Sequence, residues 1–229
     1  SPNNPSGQVC ENLEEISEVT KKYNLIILSD EIYSELNFNN DYKSISNFCP
    51  EKTIISTGLS KWCGAGGWRL GYFIIPETLK IIKETLNVLA SETFSAVSAP
   101  IQYAAIQAYE GDHRSYIQSS KNILSAVGKY VYENLSSNKV LINKPQGGFY
   151  LMPEFITNKF NSSSEMCSSI LEETGVVLLP GTDFGFDKKK MFVRLSFTDF
   201  NGKNFMKEYE KKNEIDNDLI LKCAPMVVE

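Results

Sequence analysis

Three segments of this 229-residue chain hold side chains whose types and spacing could do chemistry. In Leu28-Ser29-Asp30-Glu31-Ile32-Tyr33, acidic residues follow the apolar run Leu25-Ile26-Ile27-Leu28, which reads as a buried parallel strand. Open α/β sheets place ligands at the carboxyl ends of their strands, although an acidic residue there, taken alone, is more often a helix cap or a loop charge. The second segment, Ser56 to Gly71, sets Lys61 and Arg69 among glycines at 58, 64, 66, 67 and 71 and holds both tryptophans. The glycines imply close backbone packing, and Arg69 could grip a phosphate with two parallel hydrogen bonds. Nucleotide-loop readings fail on spacing: Leu59-Ser60 stand where a Walker A loop forbids them, and a dinucleotide fingerprint from Gly64 needs glycine where Arg69 sits. The third segment, Phe192-Val193-Arg194-Leu195-Ser196-Phe197, puts Arg194 inside an apolar strand. An unpaired guanidinium is costly to bury, so Arg194 should face an anionic partner, with a structural salt bridge as the alternative. His113, the only histidine, lies in the polar Gly111-Asp112-His113-Arg114 turn and reads as surface. Proton transfer therefore falls to a Lys, a Tyr or a carboxylate rather than to a histidine relay.

The elements that must position these groups alternate along the chain. Asn12 and Glu15 form a capping-box pattern for a helix whose Leu13, Ile16, Val19 and Tyr23 share a face. Buried strands are expected at Leu25–Leu28, Thr53–Ser56 and Leu70–Ile75, and helical spacing recurs at Leu79, Ile82, Leu86 and Leu89 and again at Leu124, Val127, Val131 and Leu135. This order predicts an α/β layered domain over 1–118, with a long helix around Tyr116–Leu135 leading into a smaller α+β domain over 119–229. In the second part, short strands are expected at Val140–Asn143, Phe149–Met152, Val176–Leu179 and Phe192–Phe197. They surround one helix capped by Ser162 with Glu165 and stopped at Gly175. The Lys- and Glu-rich tail from Lys203 reads as a surface helix.

Composition narrows the classes. Hydrophobic residues make up 42% and charged residues 22%, ordinary values that argue against disorder and coiled coils. Net charge is −5, which gives no electrostatic footprint for nucleic acid or an anionic membrane, and no apolar run approaches the roughly 18 residues of a membrane helix. Five scattered cysteines without a Cys-x-x-Cys make a disulfide framework or zinc site improbable and favour a reducing cytosol.

Taken together, the segments resemble the carboxyl-terminal half of a class I/II aminotransferase, a pyridoxal-phosphate enzyme of fold type I. Ser1-Pro2-Asn3-Asn4-Pro5-Ser6-Gly7 is similar to that family's Asn-Pro-Thr/Ser-Gly motif, and Asp30-Glu31-Ile32-Tyr33 to its Asp-x-x-Tyr. Ser60-Lys61 followed by Gly67-Trp68-Arg69-Leu70-Gly71 is similar to the Schiff-base lysine segment, with Arg69 at the expected eight-residue offset. Gln146-Gly147-Gly148-Phe149-Tyr150, Leu179-Pro180-Gly181-Thr182-Asp183-Phe184-Gly185 and Val193-Arg194-Leu195-Ser196 resemble later blocks in the right order. The resemblance implies part of a large domain with a mostly parallel sheet and flanking helices, plus a small α+β domain. It also implies pyridoxal 5′-phosphate, with Lys61 as the lysine that carries it and moves the substrate proton, and Asp30 at the pyridine nitrogen. Tyr33 and Asn4 would meet the ring 3-oxygen, Arg69 with the hydroxyl of Ser60 or Thr57 the phosphate, and Arg194 the substrate α-carboxylate, Asn4 also serving the substrate. The expected reaction moves an amino group from an L-amino acid to a 2-oxo acid, in a cytoplasmic homodimer that binds neither nucleic acid nor membrane.

The sequence departs from the pattern in places. Gly58 stands where many relatives have a phosphate-binding Ser, Ala96 replaces a common Asn, and Trp62-Cys63 replaces a commoner pair. The upstream phosphate loop and the ring-stacking aromatic are not in the chain, which begins at Ser1 without a Met. The expectation is therefore a fragment, incompetent alone. Two alternatives stay open: another pyridoxal-phosphate reaction such as a carbon–sulfur lyase, and a non-catalytic aminotransferase-like effector domain.

Overall fold

The computed structural model describes residues 1–228. These fall into two compact units, one of Ser1–Pro2 with Val9–Gln118, the other of Asn3–Gln8 with the chain from Ser119. The first unit opens on helix α1 (Leu13–Lys22). The expected capping box does not form, since Asn12 makes no side-chain cap. Glu14 and Glu15 in the first turn and Lys21 and Lys22 in the last complement the helix dipole instead.

Strands β1 (Ile27–Asp30), β2 (Thr53–Gly58) and β3 (Gly71–Ile74) form one sheet in the order β1-β2-β3. β1 runs parallel to β2 from Ile27↔Thr53 to Asp30↔Ser56, and β3 is antiparallel to β2 from Gly58↔Gly71 to Ile55↔Ile74. The register has one consequence for function: the carboxyl ends of β1 and β2 and the amino end of β3 share one edge. Burial departs from the sequence reading. Leu28 is 65% exposed and all four residues of β3 are exposed, so these two strands are not the buried ones their apolar runs imply.

Helices α2 (Lys80–Thr93) and α3 (Ala99–Glu110) follow. The periodicity reading misses α3. Its Ala-Pro-Ile-Gln-Tyr-Ala-Ala-Ile-Gln-Ala-Tyr-Glu has no strong apolar stripe, and alanine propensity with Pro100 in the first turn makes the helix. Its Ala105 joins the core of the unit with Leu59, Trp62, Ala65 and Leu70.

Helix α4 (Arg114–Leu135) begins in the first unit and runs into the second, where Ile123, Val127 and Val131 enter a core with Leu151, Phe197 and Phe205. The second unit holds β4 (Val140–Leu141), β5 (Tyr150–Leu151), β6 (Glu154–Phe155), α5 (Ser163–Thr174), β7 (Leu179–Pro180) and β8 (Val193–Ser196). The sheets are antiparallel, β4 with β6 and β5-β8-β7. Ser162 caps α5 through its hydroxyl, which accepts from the Glu165 N–H at 3.2 Å, and Gly175 ends the helix at φ 76°.

The tail corrects the surface reading. Helices α6 (Gly202–Lys212), α7 (Asn217–Cys223) and α8 (Pro225–Val228) form there, and Phe205, Leu219, Ile220 and Cys223 are core residues. Each large side chain of that kind stabilises by about 1.5–3 kcal/mol on burial, so the charged composition hides a stripe the unit depends on. Among the described residues the five cysteines are unpaired, and no helix is long and apolar enough to cross a membrane.

Candidate active site

Asp30 is the last residue of β1 and Ser56 its partner on β2. The Asp30 carboxylate accepts the Ile32 N–H at 3.2 Å, which turns the chain and delivers Tyr33 into a buried position, 5% exposed. Beyond β2, the backbone folds into a turn closed by Ala65 N–H to Leu59 C=O at 3.2 Å and Gly64 N–H to Lys61 C=O at 3.2 Å. Trp62, next to the lysine, is anchored in the core, and this fixes the turn from which Lys61 projects. The Lys61 amine lies 5.4 Å from the centroid of the Tyr33 ring. Ser60 is half-buried in the same turn.

Arg69 follows the 3-10 turn Gly66–Trp68 in the left-handed region, at φ 54° and ψ 44°, and its guanidinium donates to the Gly66 carbonyl at 2.7 Å. A non-glycine residue there costs roughly 1–2 kcal/mol, and such strain concentrates at functional sites. Since β3 starts two residues later, Arg69 also stands at the shared edge. Gly58 closes β2 under a tight constraint: a Cβ there would meet the Leu70 carbonyl oxygen at 2.5 Å and the Gly71 Cα at 2.9 Å. No side chain fits at 58 without moving backbone.

The second unit gathers Asn4 and Arg194. The Asn3–Gln8 loop, whose Asn4–Pro5 peptide is cis, is closed by Gly7 N–H to Asn3 C=O at 2.8 Å. The Gly7 carbonyl in turn accepts from Gln146 at 2.9 Å and Gly147 at 3.1 Å, which joins two of the sequence motifs. Arg194, on β8, donates to the Asn4 side-chain oxygen at 2.9 Å. Its guanidinium carbon lies 4.4 Å from the Tyr150 ring centroid and 5.1 Å from that of Phe184. The contacts that hold Arg194 are thus a neutral amide and two aromatic faces.

Sequence reasoning gave no role to Tyr150 or Phe184, although both lie in motifs it singled out. Tyr150 could have been found as the strand neighbour of β8, but strand pairing is not in the sequence. His113 is not on the surface as expected: it is half-buried, its ring 5.9 Å from Trp62, and its Nε2 is buried with no hydrogen-bond partner. The first unit thus presents a carboxylate, a phenol, an amine and a guanidinium at one sheet edge. The second presents a guanidinium suited to a carboxylate.

Comparison with known proteins gives this arrangement a family. The chain is 36% identical over 196 residues to an aspartate aminotransferase of Bacillus sp. (strain YM-2), covering 81% of this chain and 49% of that one. It is 34% identical over 198 residues to a probable N-acetyl-LL-diaminopimelate aminotransferase of Bacillus subtilis, covering 86% and 49%. The crystal structure of an aspartate aminotransferase from Thermotoga maritima superposes with a TM-score of 0.74 at 33% identity, covering 86% of this chain and 50% of that one. The chain therefore spans about half the length of the curated relatives it matches. The fold is that of the pyridoxal-phosphate fold type I aminotransferases. The family model for aminotransferases of class I and II matches residues 1–205, and the chain belongs to that family.

Proposed function

We propose that the protein carrying this chain is a pyridoxal-phosphate-dependent aminotransferase that moves an amino group from an L-amino acid to a 2-oxo acid. The observation that supports this best is the convergence of Asp30, Tyr33, Lys61 and Arg69 on one edge of the β1-β2-β3 sheet. That donor set fits the cofactor the family implies: a cation for its phosphate, an anion for its ring nitrogen, a phenol for its 3-oxygen and an amine for its aldehyde. In this reading residues 1–118 are part of the cofactor-binding domain and residues 119–229 the small domain, and the working protein is a cytoplasmic homodimer.

Pyridoxal phosphate, when bound, supplies the electron sink for the carbanion left as the substrate Cα loses its proton. Lys61 would hold it covalently through the amine and, once displaced by substrate, take the proton from Cα as general base. Asp30 would keep a proton on the ring nitrogen, and Tyr33 and Asn4 would donate to the 3-oxygen. Arg69, with the Ser60 or Thr57 hydroxyl, would hold the phosphate, since the space at Gly58 leaves no room for a serine. Arg194 would orient the substrate by its α-carboxylate, a bidentate task for which a Lys is poorly shaped.

The test is a panel of amino donors and 2-oxo acids, aspartate included, run with the protein carrying this chain and added pyridoxal phosphate. Lys61→Ala is expected to abolish both the long-wavelength absorbance of the lysine-bound cofactor and amino transfer. An unchanged spectrum in that variant would overturn the assignment. Release of ammonia from sulfur amino acids without amino transfer would replace it with a lyase.

A further inference from the structure

Glu31 sits between the two groups that the proposed chemistry assigns to the cofactor ring, Asp30 and Tyr33, yet that chemistry gives it nothing to do. It is buried, 6% exposed. Its backbone is tied on both sides: the N–H donates to the Ser56 carbonyl at 2.8 Å, extending the β1–β2 ladder, and the carbonyl accepts from Ser34 at 3.0 Å. One carboxylate oxygen, Oε1, accepts from the Ser29 hydroxyl at 3.0 Å, within β1, and from the Ser44 hydroxyl at 2.6 Å, thirteen residues further along the chain. Tyr42 adds a hydrogen bond from the same loop. Burial, with the charge and hydrogen bond of Glu31, holds the Tyr42 phenol well above its ordinary range. Ser44 meanwhile caps the 3-10 turn Ile45–Asn47 by accepting from the Ser46 N–H at 3.1 Å.

A buried carboxylate is stable only where donors meet its lone pairs, and the hydroxyls that meet this one come from two separate stretches of chain. An apolar residue would fill the space, but it would leave Ser29, Ser44 and Tyr42 without their acceptor and would not join the loop to the strand. The backbone fixed by this network is the one from which the Asp30 carboxylate and the Tyr33 phenol project.

We propose that Glu31 is a positioning residue, a latch that joins the Tyr42–Ser46 loop to the end of β1 and holds the Asp30–Tyr33 segment in its cofactor-receiving conformation. The inference rests on the function proposed above, and its test separates the two. In the cofactor-free protein carrying this chain, Glu31→Gln removes the charge and turns one of the two acceptor oxygens into an NH2 donor, so the three hydroxyls are left with a single neutral acceptor. Hydrogen exchange over Ile32–Leu36 is then expected to quicken about tenfold, the local cost of a buried pairing lost. The same variant is expected to bind pyridoxal phosphate about tenfold more weakly in an absorbance titration, and Glu31→Asp, which keeps the charge, to restore part of both effects. Should Glu31→Gln fail to fold, Ser44→Ala removes one donor from the loop side and is expected to give the same pattern in smaller measure. Unchanged exchange over Ile32–Leu36, or quickened exchange with undiminished cofactor affinity, would overturn the latch. If the unsubstituted protein takes up no pyridoxal phosphate, the functional reading fails instead, and the cofactor-positioning role with it.

Discussion

At the scale of single residues, Arg194 shows how shape rather than charge alone selects a side chain. Its planar guanidinium lies against Tyr150 and Phe184 while one nitrogen donates to Asn4. A Lys ammonium could not lie flat against the rings or present two parallel donors to a carboxylate. Arg194→Lys is therefore expected to raise KM for the amino acid about 10- to 100-fold, the worth of a charge-assisted hydrogen bond, while the cofactor spectrum stays unchanged. Steady-state kinetics beside an absorbance scan check both halves. The sequence singled out Arg194 because a lone charge in an apolar strand is conspicuous. It gave no role to the rings beside it, which lie on a neighbouring strand and in the turn Gly181–Phe184, and whose approach depends on register.

At the scale of elements, the tail helices carry the clearest lesson. Lys203 to Lys222 reads as solvated charge, yet α6 and α7 bury Phe205, Leu219 and Ile220, because amphipathic helices need only a few apolar positions to reach a core. Glu208 of α6 then accepts from Lys211 on its own helix and from Lys222 on α7. Those hydrogen bonds pull its carboxyl from the ordinary 4.5 down to about 2. A carboxylate whose pKa is depressed on folding stabilises fully above the unfolded value and loses that contribution as pH falls through the folded one. The melting temperature of Glu208→Gln should accordingly lie below the parent's at neutral pH, with the gap narrowing below pH 4.5 and closing near pH 2. The gap should shrink in high salt, since both lysines are exposed. A gap that persists to the lowest pH would show that the glutamate acts by packing instead.

At the scale of the whole molecule, the apolar surface is uneven. Leu28, Phe73, Ile74, Ile81, Val88 and Phe94 are all exposed, and all belong to the first unit. Exposed apolar side chains in such number are unfavourable in water and invite association. The 229 residues are thus expected to bind a hydrophobic dye and to self-associate at micromolar concentration. Light scattering and dye fluorescence check this, and a dye-free monomer would contradict it.

Local chemistry and order along the chain were legible in the residues themselves. Lys61 and Arg69 at their offset, Asp30 before Tyr33, the cap of α5 at Ser162 and its stop at Gly175 are all short-range patterns, fixed by neighbouring backbone geometry. The sequence alone thereby determined the family. The tertiary structure decided what depends on distant pairings. These are the antiparallel β3 that brings Arg69 to the edge of Asp30, the lack of room at Gly58, the rings around Arg194, and the Ser44 and Tyr42 hydroxyls that close on Glu31. Each joins residues far apart in the chain, and only the register of strands and loops determines whether their side chains meet.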